Sequence, residues 1–89
     1  MDLTRQPPRR PSNAGVAGIV GLARMTDKAR AQRLDLLGDF VYGEDSGLDR
    51  EVLAFINMTA CEFADLAGAV DDEELGTCVL ERAARSPAQ

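Results

Sequence analysis

Histidine and tryptophan are absent from this 89-residue chain, and aromatics are scarce, with one tyrosine and three phenylalanines. Without histidine the chain lacks the commonest general acid–base and the commonest metal ligand. Serine–histidine and cysteine–histidine nucleophilic pairs are excluded, so any catalysis would have to run on carboxylates, Lys28, Tyr42 or a thiol. The two cysteines, Cys61 and Cys78, form no C-x-x-C, and a zinc site built on them would need carboxylates to complete it. They read as reduced thiols, Cys78 on an apolar helical face and Cys61 on an exposed one. Nothing in the pattern calls for a metal or a cofactor. Nor is there a run of about 20 apolar residues, the length needed to span a bilayer. Arg9-Arg10 before the uncharged run Pro11 to Ala23 imitates a twin-arginine signal. However, Gly21-Leu22-Ala23 is a poor cleavage site, and Pro11, Gly15, Gly18 and Gly21 interrupt the run. The expectation is a cytoplasmic protein.

What is present is ordinary for a globular domain, 45% hydrophobic and 28% charged, and enough for one core. Pro7, Pro8 and Pro11 make residues 1–11 an extended, Pro-rich arm. A single helical domain over 12–86 and a polar tail over 87–89 follow. Ser12 or Asn13 offers an N-cap for one long helix running to about Leu37, with Gly38 as its stop. Gly43 to Gly47 is loop by composition. Asp49 can cap a short helix through Ile56 in which Leu48, Val52, Phe55 and Ile56 share a face. Thr59 to Glu62 is a T-x-x-E capping box, followed by Phe63, Leu66, Ala67 and Val70 at helical spacing. Asp71-Asp72-Glu73-Glu74 opens a fourth helix, where acids complement the helix dipole; Leu75, Cys78, Val79 and Arg82 line its inner face. No segment alternates as a strand would. The fold class is all-α: a compact bundle of about four helices around one long N-terminal helix.

On a helical wheel, Val16, Ile19, Val20, Ala23, Leu34 and Leu37 fall on one side of the long helix, and Arg24, Lys28, Gln32 and Asp35 on the opposite, solvent side. Asp27 projects into the apolar stripe with Arg30 beside it at i,i+3, and Thr26 and Arg33 also lie within the apolar arc. Burying an unpaired charge costs several kcal/mol, so this turn holds either an Asp27–Arg30 ion pair that draws in Tyr42 or an acid from the Asp39–Asp49 region, or a polar cleft for an anionic ligand. The glycines at 15, 18 and 21 imply close packing of a neighbour or a frayed helix start.

Charge is segregated. Residues 1–33 hold seven bases against two acids, and residues 34–89 three bases against thirteen acids. Few aromatics and an acidic remainder disfavour nucleic acid. Self-complementarity, within one chain or across a homodimer, is the simpler reading.

The strings D-L-T-R-Q-P-P-R-R-P (Asp2 to Pro11), L-A-R-M-T-D-K-A-R-A (Leu22 to Ala31), F-V-Y-G (Phe40 to Gly43) and L-D-R-E-V-L-A-F (Leu48 to Phe55) resemble the small bacterial domain-of-unknown-function family 5069. The resemblance spans nearly the whole chain and brings no activity, cofactor or substrate. It implies that Arg24, Asp27, Lys28, Arg30 and Tyr42 belong to a recurring pattern, and it argues against removal of the N-terminus. The chain departs from that pattern at Thr26, where an aliphatic residue is expected, and reads as shorter than relatives that continue past the fourth helix. The functional expectation is a non-enzymatic interaction module that self-associates through its basic N-terminal third and acidic C-terminal helices. Such a dimer would weaken as salt rises. The alternative is a small-molecule or anion-binding protein, or an enzyme, using the polar cluster Arg24, Asp27, Lys28, Arg30 and Tyr42.

Overall fold

The structure, a computed structural model, describes residues 3–38, 40–43 and 45–84. The polar tail at 87–89 and Asp2 of the first family string lie outside the described residues. Four helices are present among them: α1 (Leu22–Arg33), α2 (Gly47–Ile56), α3 (Ala60–Ala69) and α4 (Asp72–Ala84). The all-α reading holds, and the described residues contain no strand. α1 packs most extensively on α3, α2 packs on α4, and α1 also touches α2. Between them lies one core built from Leu22, Met25, Ile56, Phe63, Leu75 and Val79, all fully buried.

The long helix expected over Asn13 to Leu37 is cut at both ends. Before α1, Ala17 (φ 57°), Gly18 (φ 70°) and Gly21 (φ 88°) are all left-handed, a conformation no helix interior accepts. Gly21 is the N-cap, and a side chain there would meet Leu48 and Val52 of α2 at 3.5 Å. The segment before α1 is therefore a packed loop. Val16 is fully buried in it, and Ala17 lies so close to Gly76 that a Cβ on that glycine would sit 3.3 Å from the Ala17 nitrogen. At the other end, Asp35 turns left-handed at φ 58°. The Leu36 N–H then reaches Ala31 O (2.8 Å) and the Asp35 N–H reaches Gln32 O (3.0 Å), the paired bonds of a Schellman stop. An aspartate, not Gly38, ends the helix. With the helix shortened, two residues assigned to its apolar side lie outside it and face solvent: Val20 at 59% and Leu34 at 61% exposure.

The other helices start and stop on local signals. Ser46, not Asp49, caps α2, its hydroxyl accepting from the Asp49 N–H; Asp49 sits within the first turn. Asn57 (φ 59°) closes α2, with the Met58 N–H on Leu53 O. The Thr59–Glu62 capping box forms reciprocally. Asp71 accepts from the Glu74 N–H at the head of α4. Val52, Ile56, Phe63, Ala67, Leu75 and Val79 are buried as their periodicity requires, whereas Phe55, placed on the same face from the sequence, is 65% exposed. Cys61 is exposed and Cys78 half-buried, both as free thiols. No single helix among the described residues is long and apolar enough to cross a membrane.

The extended arm expected over residues 1–11 is not found as such: residues 3–6 turn and bend, and residues 7–10 have no regular structure. Leu3 is buried and its N–H bonds Leu36 O at 2.9 Å. Pro8 is buried too, while Thr4 to Pro7 are exposed.

Candidate functional site

α1 carries a polar turn into the interior, and each of its charged side chains reaches a different part of the chain. Asp27, 5% exposed, pairs with Arg9 of the arm, eighteen residues upstream. The Arg9 Nε and Nη2 donate to the two carboxylate oxygens of Asp27 at 3.0 Å each, and the Arg9 backbone N–H adds a third bond at 2.8 Å. The same guanidinium donates through Nη1 to Asp72 at the start of α4 (2.9 Å). Arg30 approaches Asp72 from the other side at 2.6 Å. The sequence expectation of an Asp27–Arg30 pair is thus corrected: both residues belong to one network, but Arg9 and Asp72 stand between them. Arg30 turns instead toward the end of α3, where it donates to the carbonyls of Ala67 (2.9 Å) and Val70 (3.0 Å). Those carbonyls are left without helical partners at a C-terminus, and a cation there also complements the helix dipole.

Lys28 was expected on the solvent side and is buried, its side chain 5% exposed. Val41 and, from the first turn of α2, Asp49 close over the side chain, so this side of α1 is interior as well. Its ammonium meets the fully buried Asp49 at 2.8 Å and donates to Val41 O at 2.9 Å. Asp49 in turn accepts the Gly43 N–H, and its second oxygen is buried with no hydrogen-bond partner. Arg24 donates to Arg9 O (3.3 Å) and stacks over Phe40, 5.6 Å from the ring centre, a cation–π contact. Tyr42 is not drawn into the Asp27 network; its hydroxyl donates to Ala60 O at 2.6 Å. Thr26, fully buried, is satisfied by its own helix through Leu22 O. Arg33 lies at the surface in a pair with Asp65.

The electrostatics follow from these contacts. Burial alone would lower the Arg9 pKa, but its bonds to Asp27 and Asp72 outweigh that and hold it above the ordinary value. Burial would raise Asp72, yet the hydrogen bonds from Arg9 and Arg30 prevail and keep its carboxyl below the usual range. Tyr42 is raised well above the ordinary phenol value, first by burial and then by Asp49.

Of the five residues singled out from the sequence, Arg24 and Asp27 converge on Arg9. Arg30 joins that network through Asp72, while Lys28 and Tyr42 belong to a separate region beside Asp49. Every one of the five polar heads is bound to an internal partner, so a ligand at the cluster would have to displace one. Sequence reasoning missed Arg9 and Asp72 as partners, and it set the acids of the Asp39–Asp49 region against the Asp27–Arg30 pair, whereas Asp49 meets Lys28. The only signals for these partners were an arginine in a Pro-rich arm and acids at helix starts, which caps and dipoles already explain. Among the described residues no group of cysteines and acids converges as a metal-ligand set.

Four of the seven bases in residues 1–33 are paired within the chain to three of the thirteen acids in residues 34–89, through Arg9–Asp72, Lys28–Asp49, Arg30–Asp72 and Arg33–Asp65. A different feature remains open at the surface. A shallow, largely apolar groove of about 410 Å³ runs between α2 and the loop before α1, walled by Ile19, Val20, Leu48, Val52 and Phe55 together with Glu51.

Comparison with curated proteins and with solved structures returns no match. The family model described as "Domain of unknown function (DUF5069)" matches residues 5–89. With that match covering nearly its whole length, the chain belongs to the DUF5069 family.

Proposed function

We propose that this protein is a non-enzymatic interaction module that self-associates through the exposed face of α2. The observation that carries this reading is the pairing of the two apolar residues Phe55 and Val20, 65% and 59% exposed, on one groove. A scattered apolar residue on a surface needs no explanation, but several on one concave patch mark a contact site. Glu51, one turn before Phe55, lines the same groove. An isologous contact sets a surface against itself, so Phe55 of each copy enters the groove of the other. The bases of the N-terminal third contribute little to this contact, because four of them are spent internally.

Burying Phe55 and Val20 from both copies is worth on the order of 5 kcal/mol beyond their present burial. Taken alone that corresponds to a Kd of about 0.2 mM, and burial of the partly covered groove walls Ile19 and Leu48 has to offset the association costs for a dimer to form between about 0.2 and 1 mM. Sedimentation equilibrium across that range checks it. Wild type should show a concentration-dependent dimer that high salt does not weaken, and Phe55→Glu should be a folded monomer at concentrations below the roughly millimolar range. A wild type that stays monomeric up to about 1 mM, or a Phe55→Glu variant that dimerises equally, refutes the reading.

A further inference from the structure

The arm meets α1 and α4 in the manner of a bound peptide. A casual surface ion pair joins two side-chain heads. Here the receptor reads the whole Arg9 residue: Asp27 takes its backbone N–H and the Nε–Nη2 fork, Asp72 takes Nη1, and Arg24 donates to its carbonyl. Pro8, just before it, is buried. A bidentate guanidinium–carboxylate fork is among the more geometrically selective polar contacts, and recognition of an extended segment by main chain and side chain together is how peptide sites work. The arm contributes no helix, and it reaches α1 through the non-helical segment 12–21, starting from the turn closed by the Asn13 N–H on Arg10 O at 2.9 Å.

We propose that Asp27 and Asp72 form an arginine-recognition site that takes the Pro8-Arg9 segment of a second copy of this chain by exchange of arms. The contacts made in cis and in trans are the same, so exchange neither gains nor loses pair interactions; domain swapping is a low-cost route to association for this reason. The balance is set by concentration. A tethered arm competes at an effective concentration on the order of millimolar, so the wild-type site is self-occupied in dilute solution and exchanges as protein concentration approaches that value. This site is separate from the α2 groove, and its test is run so that the two cannot be confused.

The test pairs two complementary full-length variants, both carrying Phe55→Glu to silence the α2 face. The Arg9→Gln chain has an intact receptor and a disabled arm; the Asp27→Asn chain has an intact arm and a damaged receptor. Each is first shown to melt cooperatively by circular dichroism. If Asp27→Asn fails to fold, Asp72→Asn, whose side chain is 40% exposed, replaces it. Sedimentation of the equimolar mixture should reveal a heterodimer at least about tenfold tighter than any homodimer of either variant, because the competing cis arm has been removed from one partner. Adding Arg9→Gln to the arm-donating chain should abolish it. A fluorescent peptide spanning residues 3–11 should likewise bind the Arg9→Gln chain saturably, and the wild type at least about tenfold more weakly. A mixture that sediments as two monomers, or a heterodimer that survives loss of the donor's Arg9, overturns the proposal. So does peptide binding that is unchanged when Asp27→Asn is added to the Arg9→Gln chain, since that would be attraction to a net-acidic protein and nothing more.

Discussion

Removing one partner of the Lys28–Asp49 pair should be the most damaging conservative change in this protein. Both side chains are out of water, at 5% and 0% exposure, with 2.8 Å between Nζ and Oδ2. Asp49→Asn preserves shape, and its amide oxygen can still accept from the Gly43 N–H and from Lys28 at the Oδ2 position, but the buried ammonium loses its counter-charge and is left with neutral acceptors, that oxygen and Val41 O. Breaking a buried pair from one side costs about 3–5 kcal/mol, against a total stability on the order of 4–13 kcal/mol for a chain this short. Lys28→Met strands Asp49 equally, and at similar cost. The double variant Lys28→Met/Asp49→Asn removes both charges and retains the bond to Gly43, so it should lie within about 1–2 kcal/mol of wild type. The expected coupling energy between the two positions is thus at least about 3 kcal/mol. With no tryptophan in the chain, urea unfolding is best followed by far-ultraviolet circular dichroism, with the slope checked for constancy across the four proteins. Single variants each costing less than about 1 kcal/mol, or losses that simply add, would refute the claim that this pair is desolvated and mutually dependent.

Tyr42 is the only tyrosine, so its ultraviolet ionisation band reports one group. Burial and Asp49 raise its pKa, so its contribution to stability is full below the unfolded value near 10 and is lost as pH rises through the folded one; ionisation should be delayed beyond that of a tyrosine peptide and coincide with alkaline unfolding, and a midpoint at the peptide value would contradict the placement. Asp72 is lowered in spite of burial, by Arg9 and Arg30, so its stabilisation is present above the unfolded carboxylate pKa and fades as pH falls through the lower folded value. Acid unfolding should therefore begin at higher pH in Arg9→Gln than in wild type. Gly21→Ala should cost about 1–2 kcal/mol because φ is 88° there, although the new Cβ would have room at 3.5 Å. Gly47→Ala, in a helical first turn with nothing within 4 Å, should instead stabilise by about 0.5–1 kcal/mol; urea midpoints that fail to move in opposite directions would count against the backbone assigned to both positions.

The features legible in the sequence were those whose causes act over a few residues. Thr59 and Glu62 announce the head of α3 because a capping box needs nothing beyond one turn. The acids at 71–74 mark α4, and the spacing of Phe63 and Ala67 marks an inner face. Asp27 was also visible as a charge in an apolar stripe that had to find a partner. Its partner was not visible. Arg30 at i,i+3 was the nearest candidate along the helix, but Arg30 is also within reach of the α3 carbonyls and Asp72, and the arm brings Arg9 to Asp27 with three bonds. Lys28 and Phe55 were exchanged in the same way: a wheel knows one helix, and cannot know that Val41 and Asp49 enclose Lys28 while Phe55 stays 65% exposed.

The sequence by itself therefore determined the all-α class, the heads of α3 and α4, the family membership and the presence of a polar turn in α1, because propensity, capping and periodicity are local properties. Only the tertiary structure decided where α1 begins and ends, which acid answers which base, and which apolar residues remain outside. Those outcomes depend on desolvation and on distances between segments far apart in the chain. A left-handed turn at residues 17–21 is paid for by packing against α2 and α4, and the carboxylate of Asp27 takes the guanidinium that the folded arm delivers rather than the one nearest in sequence.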